Sequence, residues 1–410
     1  MIRNNPRQYS EKEQFVKSTI ILTGSNVLTR VLSLIFFVIL ARAVSVEEYG
    51  LFRFLLSISM IYAVSFTGFT TALTHFIGKN KNNSTVYATN SLIVSFIMFI
   101  VVSIGIILFQ KDKTLSLLVF FSALIDFYYI GFIAGVLNHV KLYLFKLLEN
   151  ALQLGILLLV MIISQKVNFD FAILFYSISG LLIVILLELW RPQFQIDLKQ
   201  ISKNALKEIA SYGYKVAFGA IGWVILFSIN TIFIKILIGE AQVGYYSVGA
   251  TVVQIFTFIP SAISTLILPK VSSIKDKKNI FKFVNFAALG TIIVSMALLI
   301  FLLIFDRYII ITIFGEKYLP AVAAILALAI GQIAISVYQI YASAWQGLGK
   351  PSIPSTIIFI CCILNIIGSY FLTKNFGIVG AATSSAITST IAMVWLTIVF
   401  NKKWKIHSKE

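Results

Sequence analysis

The chain has 410 residues, which in a soluble protein would suggest two or three domains. Its composition argues against a soluble fold, because 59% of its residues are hydrophobic and 12% are charged, whereas an ordinary globular domain has about 25% charged residues. The net charge of +17 would suggest nucleic-acid binding in a soluble protein, but in a membrane protein it first indicates basic cytoplasmic loops, so we expect no nucleic-acid partner.

A series of apolar segments is long enough to cross a bilayer as helices, which takes about 20 apolar residues each. In chain order they are 18–42, 51–77, 85–109, 115–137, 142–164, 169–189, 212–238, 243–268, 281–305, 320–346, 352–373 and 377–400. The connections between them are short. The sequence therefore predicts an all-α integral membrane protein with about 12 transmembrane helices, embedded in the lipid bilayer.

Lys and Arg residues are distributed unequally between alternate connections. If the N-terminus is cytoplasmic, roughly two thirds of the 33 Lys and Arg residues fall in cytoplasmic segments and their helix ends. The positive-inside rule then predicts a multi-pass protein of the cell (cytoplasmic or inner) membrane, with both termini in the cytoplasm.

The longest internal connection separates the sixth segment from the seventh. Apolar residues recur at helical spacing from Leu198 to Ile209, and lysines occupy another face. This pattern predicts an amphipathic cytoplasmic linker helix over 190–211 that lies in the membrane interface, with a solvated linker helix as the alternative. It divides the chain into an N-terminal six-helix bundle (1–189) and a C-terminal six-helix bundle (212–410).

The two halves share a weak internal repeat. VSVEEYGLFRF at 44–54 aligns with IGEAQVGYYSV at 238–248, and both place a glycine, Gly50 or Gly244, before an aromatic residue. A chance match between two low-complexity apolar segments is the alternative. Related halves are typical of transporters, whose substrate sites lie between the repeats.

The second span of each half also contains a residue that weakens a helix. Gly68 follows Phe66 and Thr67 in the first half, and Pro260 occupies the corresponding region of the second half. Paired interruptions of this kind predict a transporter-like binding site at the interface of the halves.

The first outer loop contains a helix-capping pattern. Ser45 and Glu48 have the spacing of a capping box, which predicts the N-terminal cap of the second span. Glu47 and Glu48 could alternatively bind a metal as an acidic pair. The histidines and cysteines lack ligand spacing and the chain has no Walker or GxSxG motif, so we expect no metal site, no cofactor and no ATPase or hydrolase activity.

Two charged residues lie near the midplane of predicted spans, where each needs a partner, a wet cavity or a function. Arg30 lies well inside the first span and Asp126 inside the fourth. They could form a structural ion pair. Alternatively, Arg30 attracts an anionic substrate into a central cavity and Asp126 is a candidate for ion coupling.

Other polar residues lie in or beside the spans. Lys215 lies close to the cytoplasmic start of its span, where its ammonium group can reach the interface. Arg42, Arg53 and Lys235 lie near outer ends, where they either anchor the helices in the interface or form a basic ring at the outer mouth. Neutral polar side chains either join helices or line a route for sugars; they are Gln153, Asn230, Gln254, Gln332, Gln339 and Asn365.

Several stretches carry a family resemblance. The opening GSNVLTRVLSLIFFVILARAVSVEEYGLFRFLLSI (24–58) has Ala41-Arg42 before a small loop, then EEYGL (47–51), and an arginine at Arg30. It resembles the polysaccharide transporter proteins, the Wzx-type oligosaccharide flippases. Later stretches are similar to the same family's eighth span, its tenth-to-eleventh connection and its last span: GYYSVGATVVQIFTFIPSAISTLILPKVS (244–272), WQGLGKPSIP (345–354) and FGIVGAATSSAI (376–387).

The resemblance implies two six-helix bundles that form a V around a central cavity. It implies a flippase, not an enzyme, that moves an undecaprenyl-diphosphate-linked oligosaccharide to the outer leaflet for cell-surface polysaccharide synthesis, working beside a polymerase and glycosyltransferases. A lipid diphosphate needs positive charge at depth, and the candidates for it are Arg30, Arg53 and Lys215. Without a nucleotide motif, we expect an ion gradient to supply the energy.

Two other functions remain open. One is a cation-coupled multidrug-type antiporter on the same fold, which is less favoured because the first span contains Arg30 and no Asp or Glu. The other is a polytopic polysaccharide polymerase or glycosyltransferase, which normally needs a larger outer loop than this chain offers.

Overall fold

The structure, a computed structural model, describes residues 28–79, 83–109, 112–136, 138–164, 169–193, 196–273 and 277–406. Within these ranges the chain forms helices and no β-strand. The helices are α1 (28–43), α2 (Val46–Lys79), α3 (Ser84–Phe109), α4 (Lys113–Gly135), α5 (His139–Ser164), α6 (Phe169–Trp190), α7 (Lys203–Ile238), α8 (Glu240–Val253), α9 (Phe258–Ser273), α10 (Lys277–Ile309), α11 (Val322–Gly347) and α12 (Ser352–Ile406). Shorter turns lie at Leu198–Gln200, Gln254–Thr257, Ile310–Phe314 and Glu316–Ala321.

Most of these helices meet the length and hydropathy of a membrane span. In the described ranges eight helices do so, or nine if the two arms of the bent α2 are taken as one span. The 55-residue α12 contains two predicted segments, which meet at Gly377, where φ is 59°. The protein is therefore an all-α, multi-pass membrane protein, while the number twelve and the V shape stay predictions.

The distribution of side chains is that of a protein in lipid. Large apolar side chains point outward from the helices; Ile162 is 80% exposed and Phe286 77%. Polar side chains such as Asn90 and Asn365 are fully buried between helices. Because lipid offers no hydrogen bonds, helices satisfy their own backbone and bury the remaining polar groups against each other.

The two ends of the molecule carry different contacts. The loop end contains the α1–α2 connection, Gly239 and Gly315, and the linker end contains residues 191–202. At the loop end, the largest apolar core joins residues of both halves, including Phe52 from α2 and Val243 from α8. The halves are thus held together by apolar packing at the loop end.

The predicted linker helix over 190–211 is not a separate helix. A turn at Leu198–Gln200 is followed by α7, which starts at Lys203 because the Ser202 side chain accepts a hydrogen bond from the Ala205 amide. Only the second part of the apolar stripe packs inward: Ile209 is fully buried, whereas Leu198 is 69% exposed. Residues 203–211 are the first turns of α7, and the division of the chain into two bundles stays a prediction.

The aligned glycines of the repeat lie against each other. A Cβ on Gly50 would overlap the carbonyl oxygen of Glu240, and a Cβ on Gly244 would lie 2.5 Å from the carbonyl oxygen of Val46. The contact is reciprocal, because Val46 and Gly50 occupy the same repeat positions as Glu240 and Gly244. The starts of α2 and α8 therefore cross with backbones in contact, which only glycine permits.

Both predicted interruptions lie near bends. The axis of α2 changes by 52° between Val64 and Phe66, just before Gly68, where a Cβ would overlap the carbonyl oxygen of Gly213. A tight turn at Gln254–Thr257 precedes Pro260, which lacks an N–H to bond the carbonyl of Phe256. Ser336 Oγ donates to that carbonyl instead, at 3.1 Å.

The predicted capping box is present at the start of α2. The amide of Glu48 donates to Ser45 Oγ at 3.1 Å, and the amide of Ser45 donates to Glu48 Oε2 at 2.8 Å. The two side chains thus satisfy two backbone donors at the helix start.

Replacing the cap should lower stability in a defined way. We expect Ser45→Ala to destabilise the purified protein by about 1 kcal/mol, because one helix N–H loses its acceptor, whereas Ser45→Asp keeps the cap. Thermal unfolding in detergent measures the difference. Equal midpoints for the alanine and aspartate variants would contradict the assignment.

Candidate functional site

A central cavity of about 430 Å³ lies between the two halves. One wall consists of residues from α1, α2 and α6, such as Phe37 and Tyr176, and the opposite wall comes from α7, α8, α11 and α12, such as Asn230 and Gln332. The cavity is thus formed where the two halves of the sequence face each other.

Arg53 is the one charged side chain among the described residues that line this cavity. It lies on α2, and its guanidinium is 4.6 Å from the centre of the Phe37 ring, a cation–π geometry that holds it in place. The ion pairs found among the described residues do not include Arg53. An uncompensated guanidinium in a neutral cavity is suited to bind an anion such as phosphate.

The opposite wall is neutral and polar. Asn230 is held by its neighbours: its amide donates to Tyr246 Oη at 3.1 Å and to Ser385 Oγ. The side-chain amides of Gln254 and Gln332 also line the cavity, and neither bonds to another described residue. Free amides of this type can bind the hydroxyl groups of a ligand.

A side cavity of about 290 Å³ adjoins the central one, and Leu56, Met60 and Tyr176 line both. It contains Asp126 from α4 and Glu149 from α5. The wall between the two cavities is therefore partly α2, the helix that carries Arg53.

The two carboxyl groups of the side cavity lie side by side against Gly180 of α6. A Cβ at Gly180 would overlap Asp126 Oδ1 and would lie 3.6 Å from Glu149 Oε1, so the missing side chain makes room for the Asp126 carboxyl group. Ser122 Oγ donates to Asp126 Oδ2 and Gln153 Nε2 donates to Glu149 Oε1, each at 3.4 Å. Asp126 Oδ1 is buried and has no donor among the described residues.

The ion pair between Arg30 and Asp126, one of the two alternatives from the sequence, is not formed. Nη1 of Arg30 donates to Ser261 Oγ at 3.2 Å and to Thr257 Oγ1 at 3.4 Å, both in the C-terminal half. Asp126 faces Glu149 instead. The Arg30 guanidinium also lies 5.8 Å from the centre of the Phe258 ring, so its contacts are with the C-terminal half.

The remaining predicted cations do not line the central cavity. Arg42 Nε donates to the carbonyl of Ile313 at 2.7 Å, with a second bond to the carbonyl of Thr312. Lys235 lies between Glu240, at 2.5 Å, and Asp112, at 3.7 Å. Lys215 belongs to α7, but its side chain is outside the described part of the structure.

Further contacts close the loop end over the cavity. Lys317 Nζ donates to the carbonyl of Val44 at 2.5 Å, and Tyr318 Oη donates to the carbonyl of Ala41 at 2.9 Å. Together with the Arg42 bonds, these contacts join the end of α1 to residues 312–318 of the other half. Each uses a backbone carbonyl as acceptor.

Sequence reasoning missed two acids inside predicted spans and the lysines beside them. Glu149 lies inside a predicted span, and Lys146 lines the same side cavity one turn earlier on α5. Glu188 forms an ion pair with the buried Lys141 at 2.6 Å. The sequence signal that could have identified them is an acidic residue within an apolar segment, since such a residue needs a partner or a function.

Metal binding finds no support in the described ranges. No group of three or more His, Cys, Asp or Glu side chains there is arranged to hold an ion. Glu48, half of the acidic pair in the first outer loop, serves the capping box.

Comparison with known sequences identifies relatives among membrane proteins. The chain is 24% identical over 400 residues to an uncharacterized membrane protein of Methanocaldococcus jannaschii, covering 91% of this chain and 94% of that one. It is 27% identical over 172 residues to a putative O-antigen transporter of Shigella flexneri (42% and 41% covered). It is 25% identical over 227 residues to a probable low-salt glycan biosynthesis flippase of Haloferax volcanii (54% and 48%). The matched segment spans less than half the length of three curated relatives.

Comparison of folds leads to transporters. An inward-facing multidrug resistance MATE family transporter of the MOP superfamily matches with a TM-score of 0.75 and 14% identity, over 95% of this chain and 99% of that one. The lipid II flippase MurJ, in an inward closed conformation, matches with a TM-score of 0.73 and 14% identity, over 93% and 87%. The chain shares their fold.

The family itself is established by sequence. The model of the polysaccharide biosynthesis protein family matches residues 15–275, which is more than half of the chain and includes α2 with Arg53. This confirms the resemblance seen in the motifs around Arg30 and Gly50. The chain is a multi-pass membrane protein that belongs to the polysaccharide biosynthesis protein family.

Proposed function

We propose that the protein is a flippase that moves a lipid-diphosphate-linked oligosaccharide from the cytoplasmic to the outer leaflet of the cell membrane. The observation that carries this proposal is Arg53, a single guanidinium in a neutral, amide-rich cavity between two halves. A diphosphate needs that charge, and the sugars need the amides opposite. The relatives named as an O-antigen transporter and a glycan flippase support the same substrate class.

The lipid tail need not enter the cavity. A polyprenyl chain is as apolar as the bilayer, so it remains in the hydrocarbon while the head group moves through the protein. The barrier to crossing is the transfer of the charged head, and Arg53 lowers it by replacing lost hydration. We place both termini in the cytoplasm and expect polymerase and glycosyltransferase partners on the same pathway.

Release at the loop end requires the contacts there to break. In this structure Arg42 and Lys317 bind backbone carbonyls across the halves, so the substrate cavity is closed at that end. Because the acceptors are neutral carbonyl groups, water can replace these hydrogen bonds when the halves separate, and no unpaired carboxylate is left buried. We infer that the halves rock about the Gly50–Gly244 crossing or separate at it.

An ion gradient can act through the carboxyl pair of the side cavity. Asp126 and Glu149 are both acceptors when ionised, so a bound proton is the natural bridge between them. Loss of that proton places two like charges against Gly180, which favours separation of α4 from α5 and α6. Because α2 separates the side cavity from the central one, such a movement reaches the helix that carries Arg53.

This coupling makes a testable prediction. We expect Asp126→Asn and Glu149→Gln each to remove the stimulation of transport by a pH gradient in proteoliposomes, leaving the gradient-free rate. Asp306→Asn, an acid on α10 that lines neither cavity, is the control and should keep the stimulation. Persistent stimulation in the double variant Asp126→Asn/Glu149→Gln would contradict the proposal.

The second candidate is a cation-coupled antiporter for small molecules. The observation in its favour is the carboxyl pair of Asp126 and Glu149. Such a pair can couple an ion gradient to the transport of a small molecule as well as to that of a lipid-linked oligosaccharide. The experiment that separates the two is complementation of a bacterial strain lacking its own oligosaccharide flippase, beside a drug-susceptibility assay. Restored surface polysaccharide supports the flippase, and drug resistance without restored polysaccharide supports the antiporter.

A further inference from the structure

A third, smaller pocket lies apart from the central and side cavities. It has a volume of about 190 Å³ and forms where α7, α9, α11 and the start of α12 meet. None of the described residues that line it is charged. We call it the tryptophan pocket, after Trp223 on its α7 wall. A neutral pocket of this kind does not suit an ion by itself.

The tryptophan pocket contains polar groups without protein partners. Gln339, Ser343 and Gln346 follow one another along α11, and none of their side chains bonds to another described residue. Ser264 Oγ on α9 is buried and also lacks a partner. Gln339 and Ser343 are half-buried and Gln346 is exposed, so the pocket presents open amide and hydroxyl groups that a ligand rich in hydroxyl groups can bind.

The indole of Trp223 is held as a rigid surface. It stacks on Phe227 with ring centres 5.6 Å apart and 10° between the planes, and the Tyr338 ring lies at 69° to it with ring centres 5.9 Å apart. The face of an aromatic ring is electron-rich and attracts polarised C–H groups, which cover the apolar face of a sugar ring. An aromatic face beside amides and hydroxyls is therefore suited to a saccharide.

A cation lies at the edge of this neutral pocket. Ser261, which lines it, accepts a hydrogen bond from Arg30 Nη1 at 3.2 Å. The Arg30 guanidinium is exposed, and the ion pairs among the described residues do not include it. A neutral sugar site with a guanidinium at its rim matches the chemistry of a sugar attached to a phosphate.

We propose that the tryptophan pocket binds the sugar ring attached to the diphosphate before the substrate reaches the central cavity, with the diphosphate first at Arg30 and then at Arg53. This rests on the proposed function, since it assumes a lipid-diphosphate saccharide as substrate. At 190 Å³, less than half of the central cavity, the pocket suits one ring and leaves no space for a chain of sugars. Phe227 lines the central cavity, so the stack of Trp223 on Phe227 leads from this site towards Arg53.

The test measures binding to the purified full chain in nanodiscs. The probes are a short prenyl diphosphate without sugar and the same compound carrying one glucose, galactose or N-acetylglucosamine. We expect at least one sugar-bearing probe to bind about tenfold more tightly than the bare diphosphate. Trp223→Leu and Gln339→Leu should each reduce that advantage to about twofold or less, with unchanged affinity for the bare diphosphate.

Matched variants separate the two parts of the site. Arg30→Gln should weaken all probes, and Trp395→Leu, a change of an outward-facing tryptophan on α12, should alter none. Equal affinity of the wild type for all probes, or an unchanged sugar advantage in both Trp223→Leu and Gln339→Leu, would overturn the proposal. Failure of the proposed function has a different signature, in which the bare diphosphate itself does not bind.

Discussion

Arg53→Ala should reduce transport of a lipid-diphosphate oligosaccharide by about 10- to 100-fold. Arg53 is the charged side chain of the described cavity lining, so its loss removes a charge-assisted bond worth about 1.5–3 kcal/mol to the diphosphate. Arg53→Lys keeps the charge but not the planar fork, and we expect an intermediate rate. Surface-polysaccharide recovery in a flippase-deficient strain and flipping in proteoliposomes measure the effect.

The control for this prediction is another arginine outside the cavity. Arg307 lies at the end of α10 and lines none of the described cavities. Arg307→Ala removes an equal charge but does so outside the cavities. It should therefore leave the transport rate unchanged within about twofold. Wild-type transport by Arg53→Ala, at equal amounts in the membrane, would contradict a diphosphate role for Arg53.

Gly50→Ala should strongly disturb the loop end. The new Cβ would overlap the carbonyl oxygen of Glu240, and the obstacle is backbone that cannot rotate away. We expect a loss of about 1–3 kcal/mol of stability, as for overpacked cores, and a matching loss in Gly244→Ala. Thermal unfolding in detergent measures both.

The reciprocal geometry makes the double variant informative. Once one methyl group has separated α2 from α8, the second meets less resistance, so Gly50→Ala/Gly244→Ala should cost less than the sum of the single changes. Gly155→Ala is the control: no atom lies within 4 Å of its added Cβ, and alanine favours a helix by up to about 1 kcal/mol. Additive losses would contradict a shared contact.

The local features of this protein are readable from sequence because their causes are local. The apolar segments become helices since lipid leaves the backbone no other partners. The Ser45–Glu48 cap depends on residues three apart, and its hydrogen bonds are present. Even the repeat at Gly50 and Gly244, weak as an alignment, marks the place where two backbones touch.

Features that depend on how distant helices meet were harder to predict. Arg30 bonds to Ser261, more than 200 residues away, and no spacing rule connects them. The contact of Asp126 with Glu149 needs a glycine at position 180 on a third helix. For the linker, apolar spacing could not distinguish a separate helix from the start of α7; Ser202 decides where α7 begins.

The most direct test of the central claim follows a lipid-linked substrate across a bilayer. Proteoliposomes receive a fluorescent prenyl-diphosphate oligosaccharide in both leaflets, and a membrane-impermeant quencher reports how fast the inner pool becomes accessible. We predict rapid loss of the protected pool with the wild-type protein and slow loss with Arg53→Ala. A protected pool that persists as in protein-free vesicles, with folded wild-type protein present, would contradict the proposed flippase.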